Sequence, residues 1–481
     1  MTITNRYVIT LIATFIRSGL GFVVSIAVAR FLLPESYGDY QYLFAVATSM
    51  LLLANLGTDK AYFTFISQKK QNIRFHILYF SWLAIQLLLC LLFVFLISQN
   101  VYHKIFQGFS NELVLMSIVS IFFLGNVQNT ISSIAESVRK TQITQSLNIS
   151  VAIIHFLLIF YFININTLDI EILFAVLIFE FSIYSAIFIF IYYRFKLVIF
   201  SDEEFNISKT CGKFYKYSKP LILYLMVAFV YRIIDRWLIQ EYIGSTGQAY
   251  FSISLQFSAL VILLTTSILK IYWKEVSESV KNNNREKTKR IYILVSDNLF
   301  FVSTLVSSVL FFFSDSIINY FYSDEYAEAS LVFKLIMLYP IVQSTGQLQS
   351  VFLLGSEKVK LYRNVSIIFL IFGVFLAIFL ISDLGLKLGV ESIAAKMLMV
   401  DLLSIIVLEY YINKSLKIES RYAYKAKYLL LIFTMSFSVY YLQSSLDFTF
   451  IIQVLLVSIF YVFPVAFFLL NRLKKGLTYD L

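Results

Sequence analysis

PLILYLMVAFVYRIIDRWLIQEY, residues 220–242, is the stretch that decides what kind of protein this is. At a helical rise of about 1.5 Å per residue, it is long enough to cross the hydrocarbon core of a bilayer. Arg232, Asp235 and Arg236 lie inside it at i, i+3 and i+4 spacing and therefore share one helix face. Each arginine at that depth costs about 2.5–3.5 kcal/mol on insertion scales. This face must therefore turn toward other helices or a water-filled cavity, and away from lipid.

The same three charges also allow a purely structural interpretation. Asp235 would form an ion pair with one of the two arginines. The second arginine would then still need a partner from elsewhere, because this helix offers no other acid close to it. The sequence alone leaves both interpretations open.

The rest of the chain is similarly apolar. Of its 481 residues, 59% are hydrophobic and 14% are charged, and the mean hydropathy is +0.79. This composition excludes a soluble domain and indicates membrane spans from end to end.

The sequence has no Walker A motif, so we do not expect ATP hydrolysis. Cys90 and Cys211 are not expected to form a disulfide, and the histidines lack metal-ligand spacing, so we predict neither metal nor cofactor. His155 lies inside a span, where hydrogen-bonded packing is its expected role.

Hydropathy predicts an all-α polytopic membrane protein with about fourteen transmembrane helices. The predicted spans are 7–33, 41–66, 76–98, 113–137, 146–163, 170–194, 218–240, 248–272, 292–314, 329–353, 364–382, 390–412, 427–443 and 449–470. Lysines and arginines between the spans fall almost entirely on the side of the N-terminus, whereas the other side carries Lys104 and Lys387. The positive-inside rule therefore predicts that both termini are cytoplasmic. Because the basic residues form short loops that flank spans, they indicate anionic lipid headgroups as partners and exclude nucleic acid.

A short internal repeat follows the longest basic loop. Arg30-Phe31-Leu32-Leu33, with a Gly38-containing turn and Tyr40 after it, corresponds to Arg236-Trp237-Leu238-Ile239, with Gly247 and Tyr250 after it. The match predicts two six-helix lobes related by a pseudo-twofold axis along the membrane normal, an arrangement that places a site at the interface of the lobes. The predicted parts are a first lobe (1–194), a cytoplasmic linker loop (195–217), a second lobe (218–412), and two additional helices with a cytoplasmic tail (413–481).

Two further stretches indicate a family. Residues 29–40, ARFLLPESYGDY, are similar to the end of the first span in the polysaccharide flippases of the multidrug/oligosaccharidyl-lipid/polysaccharide (MOP) exporter superfamily. The region of Pro340, Gly346 and Leu354–Lys358 resembles the tenth span and following loop of that family. The resemblance implies a central cavity between two six-helix lobes. It also implies a flippase that moves undecaprenyl-diphosphate-linked oligosaccharide across the bacterial cytoplasmic (inner) membrane for O-antigen or capsule synthesis. The expected partners are this substrate, membrane lipids, and a polysaccharide polymerase with its chain-length machinery.

Charged residues at membrane depth are the candidate site. The basic ones are Arg17, Arg30, Lys60, Arg232, Arg236 and Lys396. Their excess over acids favours an anionic substrate, and the planar guanidinium fork suits phosphate oxygens. The resemblance adds that the four arginines match the positions of intracavity arginines that hold a diphosphate or acidic sugars. Asp235, Glu180 and Asp401 are the candidates for ion coupling or for charge pairing with a neighbouring arginine.

Two other functions stay open on the sequence. An ion-coupled exporter of small anionic or drug-like solutes would use the same architecture. A membrane-embedded glycosyltransferase or polymerase would need catalytic residues in a sizeable outer loop. The longest outer loops, 99–112 and 315–328, contain no carboxylate pair that suggests catalysis, so we expect a transporter that is not an enzyme.

Overall fold

The computed structural model describes residues 3–68, 71–194, 206–356, 358–419 and 421–444, which are almost entirely helical and contain no β-sheet. The α-helices are α1 (Ile3–Asn55), α2 (Thr58–Gln68), α3 (Ile73–Leu96), α4 (Gln99–Phe106), α5 (Asn111–Ile121), α6 (Gln128–Ser137), α7 (Thr141–Asn164), α8 (Ile170–Arg194), α9 (Ile207–Tyr242), α10 (Ser245–Lys281), α11 (Arg285–Phe312), α12 (Ser314–Phe321), α13 (Ala329–Met337), α14 (Tyr339–Gly355), α15 (Val359–Ile381), α16 (Glu391–Leu416) and α17 (Tyr422–Ser444). Among these described residues, nine helical stretches are long and apolar enough to cross a membrane. The prediction of an all-α polytopic membrane protein is confirmed.

Every predicted span up to 427–443 corresponds to helix, while the fourteenth, 449–470, lies outside the described residues. Several spans are interrupted. The first two are joined in α1, which kinks at Leu33 (φ 62°, ψ 171°) immediately before Pro34. The second span breaks again at Leu56 and Gly57, both with positive φ, before α2 begins. The fourth contains a π-helical turn, Phe122–Val127, between α5 and α6.

Helix α9 begins at Ile207, inside the segment predicted as a linker loop. Its basic residues suggested a loop, but two aromatic side chains among them have partners. The Phe214 ring lies 5.2 Å from the ring of Phe65 and 5.7 Å from that of Phe75, measured between centroids. The Tyr217 ring lies 5.9 Å from that of Phe65. These contacts pack one face of the helix start against α2 and α3, which favours helix there.

The chain divides into two compact units, Met1–Ala249 and Tyr250–Leu481. In the first unit, α1 packs along α7 and α9, and α5 packs against α1 and α8. In the second, α11 packs against α14 and α17, and α16 packs against α14 and α15. By its contacts α9 belongs to the first unit. The division into six-helix lobes with two additional helices stays a prediction.

Candidate functional site

The fourth span changes character at its π-helical turn. Before the turn, α5 is largely apolar; from the last residues of the turn onward, the sequence NVQNTISSIAES (126–137) is rich in amides and hydroxyls. A π-turn inserts one extra residue and shifts the register of the helix that follows, a feature frequent at functional sites. Asn126, Asn129, Ser133 and Glu136 recur at helical spacing and line one cavity, whereas Gln128 points to another.

The first cavity, which we call the Lys60 cavity, has a volume of about 570 Å³ and lies within the first unit. Helix α2 contributes Asp59 and Lys60, both exposed, together with the exposed ring of Phe63. Helix α9 contributes Tyr217, whose hydroxyl lies 3.2 Å from Thr64 Oγ1. The cavity therefore combines amides, hydroxyls, two carboxylates and one ammonium group with accessible aromatic rings.

A hydrogen-bond network orients the amides at the wall of the Lys60 cavity. The Thr58 hydroxyl donates to Asn55 Oδ1 (3.0 Å) and accepts from Trp82 Nε1 (3.1 Å). Gln86 Nε2 donates to the same hydroxyl (3.5 Å), and Asn126 Nδ2 donates to Gln86 Oε1 (3.4 Å). Because the partners are buried or half-buried, the two asparagines at the wall are held in fixed orientations.

The second cavity, the Arg17 cavity, has a volume of about 460 Å³ and also lies within the first unit. The exposed Arg17 side chain lines it, and no carboxylate among the described residues forms an ion pair with this arginine. On the wall, Gln128 Nε2 donates to Asn148 Oδ1 at 2.9 Å. A Cβ on Gly21 would meet no atom within 4 Å, so the space beside Arg17 is open.

Glu180 faces the Arg17 cavity and is paired. Its Oε2 lies 3.0 Å from Nδ1 of His155, and the Glu180 side chain is 1% exposed. The sequence predicts that His155 is a hydrogen-bonded packing residue. Its partner in the structure is Glu180, one of the acids predicted to take part in ion coupling or charge pairing. The imidazole accounts for one carboxylate oxygen only, because Glu180 Oε1 is buried and has no hydrogen-bond partner among the described residues.

The two cavities meet at Asn129, whose exposed side chain lines both. Among the described residues its amide has no hydrogen-bond partner. A primary amide at membrane depth offers two donor hydrogens and one acceptor oxygen. Polar groups at this depth are costly unless satisfied, so this amide points to a ligand or to water.

Arg232, Asp235 and Arg236 are placed differently from one another along α9. Arg232 is exposed, whereas Asp235 is buried. Arg236 donates from Nη1 to Gln248 Oε1 at 3.0 Å, and Gln248 Nε2 donates back to the Arg236 carbonyl. Asp235 and Arg232 both act electrostatically on Arg236. These two hydrogen bonds between Arg236 and Gln248 connect α9 to the start of α10.

The two copies of the sequence repeat meet where α1, just after its kink at Leu33, lies against the start of α10. Ser245 Oγ donates to Asp39 Oδ1 and accepts from Gln240 Nε2 at 3.0 Å. The backbones approach so closely that a Cβ on Gly38 would lie 1.7 Å from the carbonyl oxygen of Ser245. Only glycine fits at this position. Arg30, the first-copy counterpart of Arg236, is exposed.

Several charges in the second unit are paired or enclosed. Lys396 is completely buried in α16, and its charge acts on Asp401, which also accepts a hydrogen bond from Tyr339. Arg421 binds Asp297 through two contacts, Nη2 to Oδ2 at 2.6 Å and Nε to Oδ1 at 3.3 Å. These contacts hold α17 against α11, and a pair between Lys425 and Glu409 (3.6 Å) holds it against α16.

Of the predicted cations, the structure therefore brings Arg17 and Lys60 to cavities that share a wall residue. Arg30 and Arg232 are exposed, Arg236 is tied to Gln248, and Lys396 is enclosed. Sequence reasoning missed the amides and hydroxyls of residues 126–137. The signal for them was present, because a polar run of this density is unusual inside a span.

Comparisons with known proteins agree with this architecture. A family model described as "Polysaccharide biosynthesis protein" matches residues 4–272. Curated protein sequences give no significant match. The structure is similar to the lipid II flippase MurJ in its inward closed conformation, with a TM-score of 0.73 and 18% identity over 96% of this chain and 99% of that chain.

Two further solved structures share the fold at lower similarity. An inward-facing multidrug resistance MATE family transporter of the MOP superfamily has a TM-score of 0.64 and 15% identity, over 84% of this chain and 96% of that chain. A MOP superfamily transporter from Pyrococcus furiosus, described as having a binding pocket of reversed polarity, has a TM-score of 0.56 and 13% identity, over 85% and 94%. At these identities the likeness concerns the fold, and the expected resemblance to the MOP superfamily is confirmed.

Proposed function

The chain belongs to the polysaccharide biosynthesis protein family, and from this premise we propose that it flips undecaprenyl-diphosphate-linked oligosaccharide repeat units across the bacterial cytoplasmic membrane. The product would serve O-antigen or capsule synthesis. The observation that carries the proposal is Arg17, an exposed arginine in a polar cavity of a multi-pass membrane protein. A guanidinium at this depth is costly without a partner and is suited to the oxygens of a diphosphate.

The chemistry of the Arg17 cavity supports a diphosphate as the bound group. The one carboxylate on its wall, Glu180, contacts His155 and forms no ion pair with Arg17 among the described residues, so the guanidinium is open to an external anion. Charge-assisted hydrogen bonds to phosphate are strong in such a low-dielectric site. The exposed Arg30 and Arg232 would hold the anionic head at other stages of its passage, and Lys60, in the adjoining cavity, would bind the substrate beyond its diphosphate.

The proposed mechanism is alternating access, in which the polar head crosses through the protein while the lipid tail stays in the bilayer. No covalent step is required. The pair of Glu180 and His155 is the candidate for ion coupling nearest to Arg17, and Asp235 and Asp401 are the other acids proposed for this role. Arg236 and Lys396, which are tied or enclosed, would shape the field of the pathway without touching the substrate.

The proposed orientation places both termini and the segment around Asn283 in the cytoplasm. Single cysteines at exposed positions test it, in a background that lacks Cys90 and Cys211. A membrane-impermeant thiol reagent added outside should label Asn283→Cys poorly and Lys387→Cys well. Labelling of position 283 from outside would contradict the proposed orientation.

A polysaccharide polymerase and its chain-length machinery are the proposed protein partners on the outer side.

The test of function compares a deletion strain with strains that express variants. Deletion should cause the lipid-linked oligosaccharide to accumulate in the cytoplasmic leaflet and should remove surface polysaccharide. Arg17→Gln should fail to restore either, with normal protein abundance, because the diphosphate loses its charged partner. Arg17→Lys should restore part of the flux, since charge survives but the bidentate fork is lost.

Arg290→Gln is the matched control, because this exposed arginine at the start of α11 lies outside both cavities. It should restore normal surface polysaccharide. If the deletion strain keeps its surface polysaccharide but becomes hypersensitive to drugs, the chain exports small solutes and the proposal is wrong.

A further inference from the structure

We infer that the Lys60 cavity is a separate subsite that binds the sugar ring attached to the diphosphate of the substrate. This inference rests on the proposed function and assigns the two cavities to different parts of one molecule. Its volume of about 570 Å³ falls in the range of roughly 300–1,000 Å³ that is typical of small-molecule sites.

Charge distinguishes the Lys60 cavity from the Arg17 cavity. Asp59 and Glu136 outnumber the single ammonium group of Lys60, so the lining carries no excess of positive charge. A diphosphate would meet repulsion there. Sugar hydroxyls each donate and accept hydrogen bonds, so they suit a wall that offers both carboxylate and amide groups.

The rings of the Lys60 cavity add the second element of sugar recognition. Phe63 is 40% exposed and Tyr217 is 37% exposed, so both present accessible faces. The C–H face of a pyranose is apolar and packs on an aromatic ring. The fixed amides of Asn55 and Asn126 can then bind the hydroxyls at the edge of the pyranose without further ordering.

The arrangement of the cavities matches the covalent order of the substrate. In a lipid-linked oligosaccharide the first sugar is bonded directly to the diphosphate. The two cavities adjoin at Asn129, whose amide has no partner among the described residues. A molecule with its diphosphate beside Arg17 would therefore place its first sugar in the Lys60 cavity.

The experiment measures the binding of two lipids to the purified full-length protein in nanodiscs. One lipid is the lipid-linked oligosaccharide that accumulates in the deletion strain, and the other is undecaprenyl diphosphate, which lacks the sugar. Ser133→Leu fills the Lys60 cavity from α6 and should weaken binding of the oligosaccharide lipid by about tenfold or more, because hydrogen bonds and ring contacts are lost. Binding of undecaprenyl diphosphate should change less than about twofold.

Phe63→Ala provides an independent variant, since this exposed ring can be removed without opening the core. It should weaken the same lipid selectively, even if Ser133→Leu fails to fold. Arg17→Gln is the comparison in the other cavity and should weaken both lipids. If Phe63→Ala weakens both lipids equally, or neither, the sugar subsite is wrong. If the unaltered protein binds neither lipid, the proposed function itself fails.

Discussion

Arg17 in the first unit and Arg421 in the second show two different uses of an arginine. Arg17 lines an open cavity and has no ion pair with a described carboxylate. Arg421 is bound by both oxygens of Asp297, whose side chain is 3% exposed. Removing a cavity charge should therefore cost function, whereas removing a paired charge should cost stability. The depth of an arginine in the membrane therefore does not identify a binding site by itself. What distinguishes these two arginines is whether a carboxylate of the protein already binds the guanidinium.

The largest effect on stability is expected for Arg421→Ala. This change removes the arginine that binds both oxygens of the buried Asp297 carboxylate, and breaking comparable buried pairs costs about 3–5 kcal/mol. Protein abundance and the midpoint of thermal unfolding should both fall. Arg421→Ala combined with Asp297→Ala should recover part of the loss. Normal stability of the single variant would break the comparison between the two units.

Arg232 and Asp235 test the same distinction inside one helix. Arg232 is exposed and Asp235 is buried, so Arg232→Ala should reduce transport by about 10- to 100-fold while abundance stays normal. Arg232→Lys should be milder, because charge survives. Flux is measured as surface polysaccharide per protein molecule. Full transport in the double variant with Asp235→Ala would make Arg232 a structural partner and would remove it from the site.

Gly38→Ala tests whether this glycine is required by a close backbone contact, in contrast to Gly21, which faces the open space of a cavity. Its new Cβ would collide with the Ser245 carbonyl, so α1 after its kink and the start of α10 must move apart, at a cost of about 1–3 kcal/mol. The unfolding midpoint should fall. Gly21→Ala is the matched control, since its Cβ meets nothing within 4 Å and should leave stability unchanged or raise it. An unchanged midpoint for Gly38→Ala would contradict the close approach.

The smallest effect is expected for the half-exposed pair of Asp315 and Lys334, whose Oδ2 and Nζ lie 2.9 Å apart. Partial burial raises the pKa of Asp315, but hydrogen bonds from Ser330 and Lys334 outweigh it and hold the pKa below its usual 3.8. The stabilisation is therefore present above about pH 4 and is lost as the pH falls through the lowered pKa. Asp315→Asn should cost less than about 1 kcal/mol at pH 7. A difference between the two proteins that persists unchanged at pH 2–3 would rule out this charge pair as its source.

Much of the architecture followed from the sequence, because hydropathy reports directly on what a bilayer requires. Each predicted span in the described part of the chain is helical. Arg17 and Lys60, which the sequence singled out by the cost of a charge at membrane depth, each line a polar cavity, and their role in substrate binding stays a prediction. The sequence repeat singled out Gly38, but it did not show that this glycine would lie against the carbonyl of Ser245.

Other features depend on packing and could not be predicted from hydropathy. The depth of a residue does not say which neighbouring helix packs against it. The sequence therefore treats Lys396 and Lys60 alike, although Lys396 is completely buried and Lys60 is exposed. The π-turn at Phe122–Val127 shifts the helix register without any composition signal of its own. The pairing of His155 with Glu180 joins two spans, and its geometry arises from the way α7 packs on α8.

Asn129 belongs to both cavities, and this has a thermodynamic consequence. A ligand in one cavity that fixes the orientation of this amide changes the free energy of binding in the other. Such coupling is reciprocal, so whatever factor the diphosphate contributes to the affinity for sugar, the sugar contributes to the affinity for diphosphate. Under the proposed assignment of the cavities, a carrier lipid that has lost its sugar would make none of the contacts in the Lys60 cavity and would therefore be held less tightly than a loaded one.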